Sequence, residues 1–179
     1  MTTFWDAIKS VLGSLLDEEP VPPLHVGEVM TLWTLLTIYE EGQVIYKIAL
    51  NTTTDAELRH AVENAVHESL QDIEMVRDFL IKEGVPLPSV SAEKPDSESN
   101  QIPLGVKFTD DEIANLIIGK ITACIALCGQ GVSQGLRTDV TIILLRSMSR
   151  LLQFSAPYRS LMRKRGWIKP PPYYYPPGV

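Results

Sequence analysis

Apolar residues recur along this chain at intervals of three and four, the period of an amphipathic helix. Phe4, Ile8, Val11, Leu12 and Leu15 predict a short amphipathic helix over residues 4–16, with Thr3 as its cap. Pro20, Pro22 and Pro23 end it in a stiff connector. Four longer periodic segments follow, predicted at 26–50, 55–83, 110–133 and 139–165. The second opens with Thr54-Asp55-Ala56-Glu57 and the third with Thr109-Asp110-Asp111-Glu112, both with capping-box spacing. Gly84 and Gly166 are the expected stops of the second and fourth. Pro157 lies inside the fourth and predicts a kink near Gln153.

The connections set the topology. The turns after the first and third long helices are short, so each pair forms an antiparallel hairpin. Residues 85–108 are polar and long enough to cross the whole bundle, because an extended chain covers about 3.3 Å per residue and a helix about 1.5 Å. Two hairpins joined by one long crossover make an all-α, ferritin-like four-helix bundle in which the second and third helices run parallel. The expected division is 1–23 for the amphipathic helix and proline linker, 24–169 for a single-domain bundle, and 170–179 for a proline- and tyrosine-rich tail. That tail reads as extended polyproline II, lying on the bundle or docking on another protein.

The first long helix is apolar nearly all round: Val29, Trp33 and Leu36 mark one side, Ile38, Ile45 and Ala49 the other. Such a helix is buried all round, so either residues 4–16 or a second subunit is expected to cover it. The chain is therefore expected to form a homo-oligomer, a dimer in the simplest case. A net charge of −6 argues against a nucleic-acid partner. Residues 1–6 have no basic leader pattern, and Lys120 interrupts the most apolar run, residues 113–128. The expectation is a cytoplasmic protein without a membrane partner.

Three motifs resemble one family. Leu24-His25-Val26-Gly27-Glu28-Val29, Ile102-Pro103-Leu104-Gly105-Val106-Lys107-Phe108-Thr109-Asp110 and Gly166-Trp167-Ile168-Lys169-Pro170-Pro171-Pro172 are similar to the spore coat protein F-like, ferritin-like bundles of spore-forming Gram-positive bacteria. The resemblance spans residues 24–172. It implies a four-helix bundle, a place in the spore coat and other coat proteins as partners. It carries no catalytic residues.

Candidate chemistry is sparse. A di-metal centre needs a Glu on each of two helices and a Glu-x-x-His on each of the other two, all inward. Glu57-Leu58-Arg59-His60 is the one such motif, and it falls off the core stripe of Leu58, Val62, Ala65 and Ser69. Glu63, His67 and Glu74 fall on the solvent face. No cofactor or metal is therefore expected. His25 and Glu28, one turn apart, read first as helix-start chemistry and second as a surface metal or partner contact. Cys124 and Cys128, four apart on one helix face, read first as small buried thiols and second as a paired metal or redox site, which no His or acid on that face supports. Glu40 and Lys120 both lie on inward stripes at mid-helix and are expected to form a buried ion pair at the bundle centre. The expectation is a non-enzymatic structural or interaction protein. The alternatives are a small-molecule-binding bundle, favoured by an enclosed pocket near Glu40, and a metal-dependent ferritin-like oxidoreductase.

Overall fold

A computed structural model describes residues 21–177, together with Asp6 and Lys9. Asp6 and Lys9 are helical and exposed. The rest of the expected helix over residues 4–16 lies outside the described residues. Four long helices make up the remainder: α1 Val26–Thr52, α2 Ala56–Lys82, α3 Asp110–Gln134 and α4 Thr138–Arg165. A single turn of 3₁₀ helix, Ser99–Gln101, interrupts the crossover. No strand occurs among the described residues.

Helix ends follow local chemistry. Thr109 and Glu112 form the expected capping box. At α2 the cap is Asp55, whose carboxylate accepts from Leu58 N at 2.9 Å, one residue later than the spacing suggests. Glu57 is freed from capping and pairs with Lys164 and Arg165 instead. Gly166 takes φ +74°, the left-handed conformation that favours glycine, and Trp167 N then bonds Met162 O at 2.9 Å. α4 continues through Pro157 as one helix.

Contacts at the two ends fix the directions. Thr53 Oγ1 donates to Asp110 at one end, and Glu28 receives the Leu136 and Arg137 amides at the other, so α1 and α3 are antiparallel. Asp55–Arg165 at one end and Glu83–Arg137 at the other make α2 and α4 antiparallel. α1 packs on α2 and α3, and α4 completes the square. α2 and α3 run parallel across the diagonal, as the crossover predicts.

The crossover lies along α1. Trp33 Nε1 donates to Pro86 O, Ser91 Oγ to Glu41, Asn51 Nδ2 to Pro95 O and Ser99 Oγ to Thr52 O. No residue from 31 to 53 is exposed. Part of the cover that the apolar girth of α1 demands thus comes from the chain's own crossover, a source not expected from the sequence. α3 is long and apolar enough, by length and composition, to cross a membrane despite Lys120. Its inner face, including Ile113, Ile117, Ile121, Cys124 and Cys128, is core. Beyond Gly166, Trp167 and Ile168 pack on the core, and Tyr173, Tyr174 and Tyr175 are exposed.

Candidate functional site

The core is two apolar halves with a polar belt between them. Leu32, Leu35, Val76, Cys128 and Leu144 belong to one half; Ala49, Leu58, Val62, Ile117 and Tyr158 belong to the other. The belt sits at mid-height, where a ferritin-like enzyme gathers its carboxylates.

Lys120 enters the belt from α3. Its stem crosses α1 at Gly42, where a Cβ would collide with its Nζ and Cε. The ammonium donates to Tyr46 Oη at 3.0 Å and lies 4.3 Å from the Tyr46 ring centroid and 5.6 Å from that of Tyr39. No carboxylate among the described residues pairs with it. Burial lowers its pKa to about 8, with the Cys124 thiol pulling weakly the other way.

Glu40 is not its partner, which corrects the expected pair. Glu40 is 4% exposed and accepts from Arg77 Nη2 of α2. The ~100° count places Glu40 inward but does not say which neighbour it faces. Glu40 lies on the seam with α2, as does Gln43, which donates to Ser69 Oγ at 2.6 Å. Gly42 and Tyr46 lie on the seam with α3. Glu40 Oε2 has no hydrogen-bond partner among the described residues.

The third belt contact is Asp72–Arg150 at 2.9 Å, joining α2 to α4. Burial raises the Asp72 pKa, and Arg150 opposes the rise. Ser147 Oγ lies beside both Asp72 and the Tyr39 hydroxyl, yet neither hydroxyl makes a hydrogen bond of ordinary geometry. A cavity of about 30 Å³ next to them, lined by Tyr39, Asp72 and Arg150, has room for one water. Cys124 and Cys128 are free and buried, and burial pushes their thiols up to about 11 and about 12. They are small neutral fillers.

This donor set does not fit a di-metal centre. Two of its acids, Glu40 and Asp72, are each held by an arginine, Glu68 lines the small cavity beside Asp72, and a lysine ammonium shares the belt. Glu57, His60, Glu63, His67 and Glu74 are exposed. Among the described residues no three His, Cys, Asp or Glu side chains converge.

His25 and Glu28 do structural work at the end of the bundle. His25 Nδ1 accepts from Gly27 N at 3.0 Å, and Glu28 Oε2 accepts from His25 N at 3.1 Å, an unusual capping box. A Cβ on Gly27 would sit 2.8 Å from His25 Cε1, which is why this motif needs glycine. Glu28 Oε1 accepts from the amides of Leu136 and Arg137, both at 2.8 Å. One carboxylate thereby holds the starts of α1 and α4. Arg137, 5% exposed, binds Glu83, Asp139 and Pro22 O. Sequence reasoning missed Arg137; its one signal is a lone arginine directly before a helix start.

A groove of about 440 Å³ opens between α1, α2 and the crossover, lined by Val44, Leu50, Val66, Leu70 and Val90 with Glu40, Arg77 and Lys94. It is open to solvent rather than enclosed.

Known proteins share this architecture. The chain is 27% identical over 163 residues to the uncharacterized protein YvdQ of Bacillus subtilis, covering 91% of this chain and 96% of that one. A candidate spore coat protein of Bacillus halodurans superposes with a TM-score of 0.82 at 28% identity, covering 86% of this chain and 97% of its own. A DUF305 fragment from Deinococcus radiodurans, at 12% identity and TM-score 0.65 over 80% of this chain and 99% of its own, shares the fold alone. So does a two-domain protein of Anabaena variabilis with DJ-1-like and ferritin-like domains, at 18% identity and TM-score 0.61, covering 97% of this chain and 52% of its own. The family model for DUF3231, proteins of unknown function, matches residues 16–178, and the chain belongs to that family.

Proposed function

We propose that this chain is a non-enzymatic structural and interaction protein that serves in the spore coat. The observation that carries the reading is the belt: a desolvated lysine and two arginine-bound acids stand where catalysis by a ferritin-like bundle requires a convergent carboxylate set. A cation there repels metal, and a filled centre admits no substrate. The likeness to the Bacillus halodurans protein supports the coat assignment.

The test has two arms. Purified protein, assayed for transition metals and then challenged with Fe(II) and oxygen, is expected to hold no stoichiometric metal and to show no oxidation above buffer. A tagged chain followed through sporulation in the organism that makes it is expected to partition with the spore coat extract. Stoichiometric iron or manganese overturns the non-enzymatic reading. Retention in the mother-cell cytoplasm overturns the coat assignment.

A second reading is a bundle that binds a small amphipathic molecule in the groove beside Glu40, although that groove is open rather than the enclosed pocket expected for such a role. Its apolar lining matches such a ligand, and Arg77 and Lys94 supply charge at the rim. A Val66→Trp variant that fills the groove is then expected to lose the thermal stabilisation conferred by a bound ligand.

A further inference from the structure

The groove beside Glu40 and the tail beyond Gly166 are two features that the bundle itself leaves unused. The groove's walls are aliphatic: Val44, Leu50, Val66 and Leu70 from the helices and Val90 from the crossover. Glu40 lines it too, and its Oε2 has no hydrogen-bond partner among the described residues. A buried acceptor left unpaired is costly, so the site lacks a donor. Arg77, whose side chain is 41% exposed, and Lys94 add cations at the mouth. The occupant that suits this set has a flat apolar body, a ring face for a cation and a hydroxyl or N–H at its tip.

Residues 170–177 offer that chemistry at three positions. Tyr39, Tyr46 and Tyr158 are core, but Tyr173, Tyr174 and Tyr175 are 80–82% exposed. They stand between Pro170-Pro171-Pro172 and Pro176-Pro177. Prolines hold such a segment extended before it binds, so little order is lost on docking.

We infer that the groove takes the proline–tyrosine tail of a second copy of this chain. A tyrosine ring sits between the aliphatic walls, with Arg77 against its face and its hydroxyl toward Glu40. The chain's own tail starts in the wrong place. Asn115 Nδ2 donates to Trp167 O and Lys169 pairs with Asp111, so the tail leaves the bundle at the start of α3. The bond from Thr53 to Asp110 puts that start level with the end of α1. Glu40 lies twelve residues before Thr52 on α1, a climb of about 18 Å. The six residues from Lys169 to Tyr175 reach about 19 Å as polyproline. The climb uses that length before the chain has rounded α1 to the side where α2 lies. Groove and tail are different surfaces, so the contact is heterologous and repeats from copy to copy into a ring or a chain. The inference rests on the interaction reading of the function and needs neither the coat assignment nor the absence of metal.

The experiment is sedimentation of full-length variants, alone and mixed. Wild type is expected to associate beyond the 20.0 kDa monomer as its concentration rises through the micromolar range. Leu70→Glu, at a groove position that is 49% exposed, keeps the tail and loses the groove. The triple variant Tyr173→Ser, Tyr174→Ser, Tyr175→Ser keeps the groove and loses the tail. Each is expected to stay monomeric with an unchanged helical circular dichroism spectrum. Mixed in equal amounts, they are expected to form a species of twice the chain mass, because one supplies the tail and the other the groove. Mixing does not repair a folding defect, so that species reports the contact itself. A wild type that is monomeric throughout overturns the proposal and leaves the groove to residues 1–20 or to a small molecule. A tail variant that still associates overturns it, as does an equal mixture that stays monomeric. Iron oxidation and partition with the coat extract are read separately, so either function test can fail without this one.

Discussion

Lys120 fills the space that a side chain at position 42 would take. The end of its side chain, ammonium included, lies against α1 at Gly42, where the ammonium bonds Tyr46. Gly42→Ala therefore forces the lysine off its bond, although alanine favours the helix by about 1 kcal/mol. The net expectation is a loss of about 1–3 kcal/mol in urea denaturation. Adding Lys120→Ala is expected to recover most of it, so the two changes are non-additive. Additive effects would separate the residues.

Lys120→Met alone is expected to be close to neutral, within about 1 kcal/mol of wild type at pH 7, because it removes a desolvated charge that no carboxylate depends on. A Glu40–Lys120 pair would instead have made this change severely destabilising. Glu40 keeps Arg77 in the variant.

The same lysine sets a pH dependence. Its pKa falls from 10.5 to about 8 on folding. Between those values the unfolded chain binds more protons than the folded one, so this group's contribution rises with pH. Cys124 and Cys128 act in the opposite sense. Burial lifts them from 9.0 to about 11 and about 12, so their contribution falls as pH rises above 9. Subtracting the Lys120→Met stability curve from that of wild type cancels Cys128 and leaves of Cys124 only its coupling to Lys120. The difference is expected to climb in favour of wild type from pH 8 to pH 10.5, by up to about 3 kcal/mol. A flat difference would mean an ammonium that is solvated when folded.

Glu28→Ala removes the acceptor for three backbone amides, those of His25, Leu136 and Arg137. The expected loss is about 3 kcal/mol or more in the urea midpoint. Glu28→Gln keeps one acceptor oxygen and is expected to lose less. Equal losses would show that Glu28 does not hold both helix starts.

Thiol labelling checks the core directly. Neither Cys124 nor Cys128 is expected to react with an aromatic disulfide reagent at pH 8 in the native protein, and both react in urea. Fast native labelling of one thiol would place it at the surface.

Much of this molecule was legible in the chain. The 3.6-residue period, the Thr109 cap, the two glycine stops and the length of residues 85–108 specify four helices and their directions. His25 was harder to place, because histidine is a rare cap and its role depends on Gly27 making room. The central pair went wrong for a geometric reason. A helical wheel separates inside from outside, but a helix in a square bundle has two inner seams, and Glu40 and Lys120 use different ones. Arg77 and Arg150 were missed because both are partly exposed and reach inward from the flank, where a wheel shows only solvated charge. The burial of α1 was readable; the strand of chain that covers it was not.

The position of α1 has a consequence for synthesis. Of the four long helices it leaves the ribosome first, yet its partner α3 is completed only about 80 residues after α1 ends. At roughly 5–20 residues per second, the nascent hairpin of α1 and α2, complete at Lys82, waits about 3–10 seconds for α3 with the α3-facing side of α1, including Tyr46, unprotected. The crossover, emerging in between, reaches α1 first. Its tethers at Trp33, Glu41 and Asn51 can shield one side of the helix while the other awaits its permanent neighbour. A segment that looks like a passive linker in the finished protein is thus also a temporary guard for the half-made one.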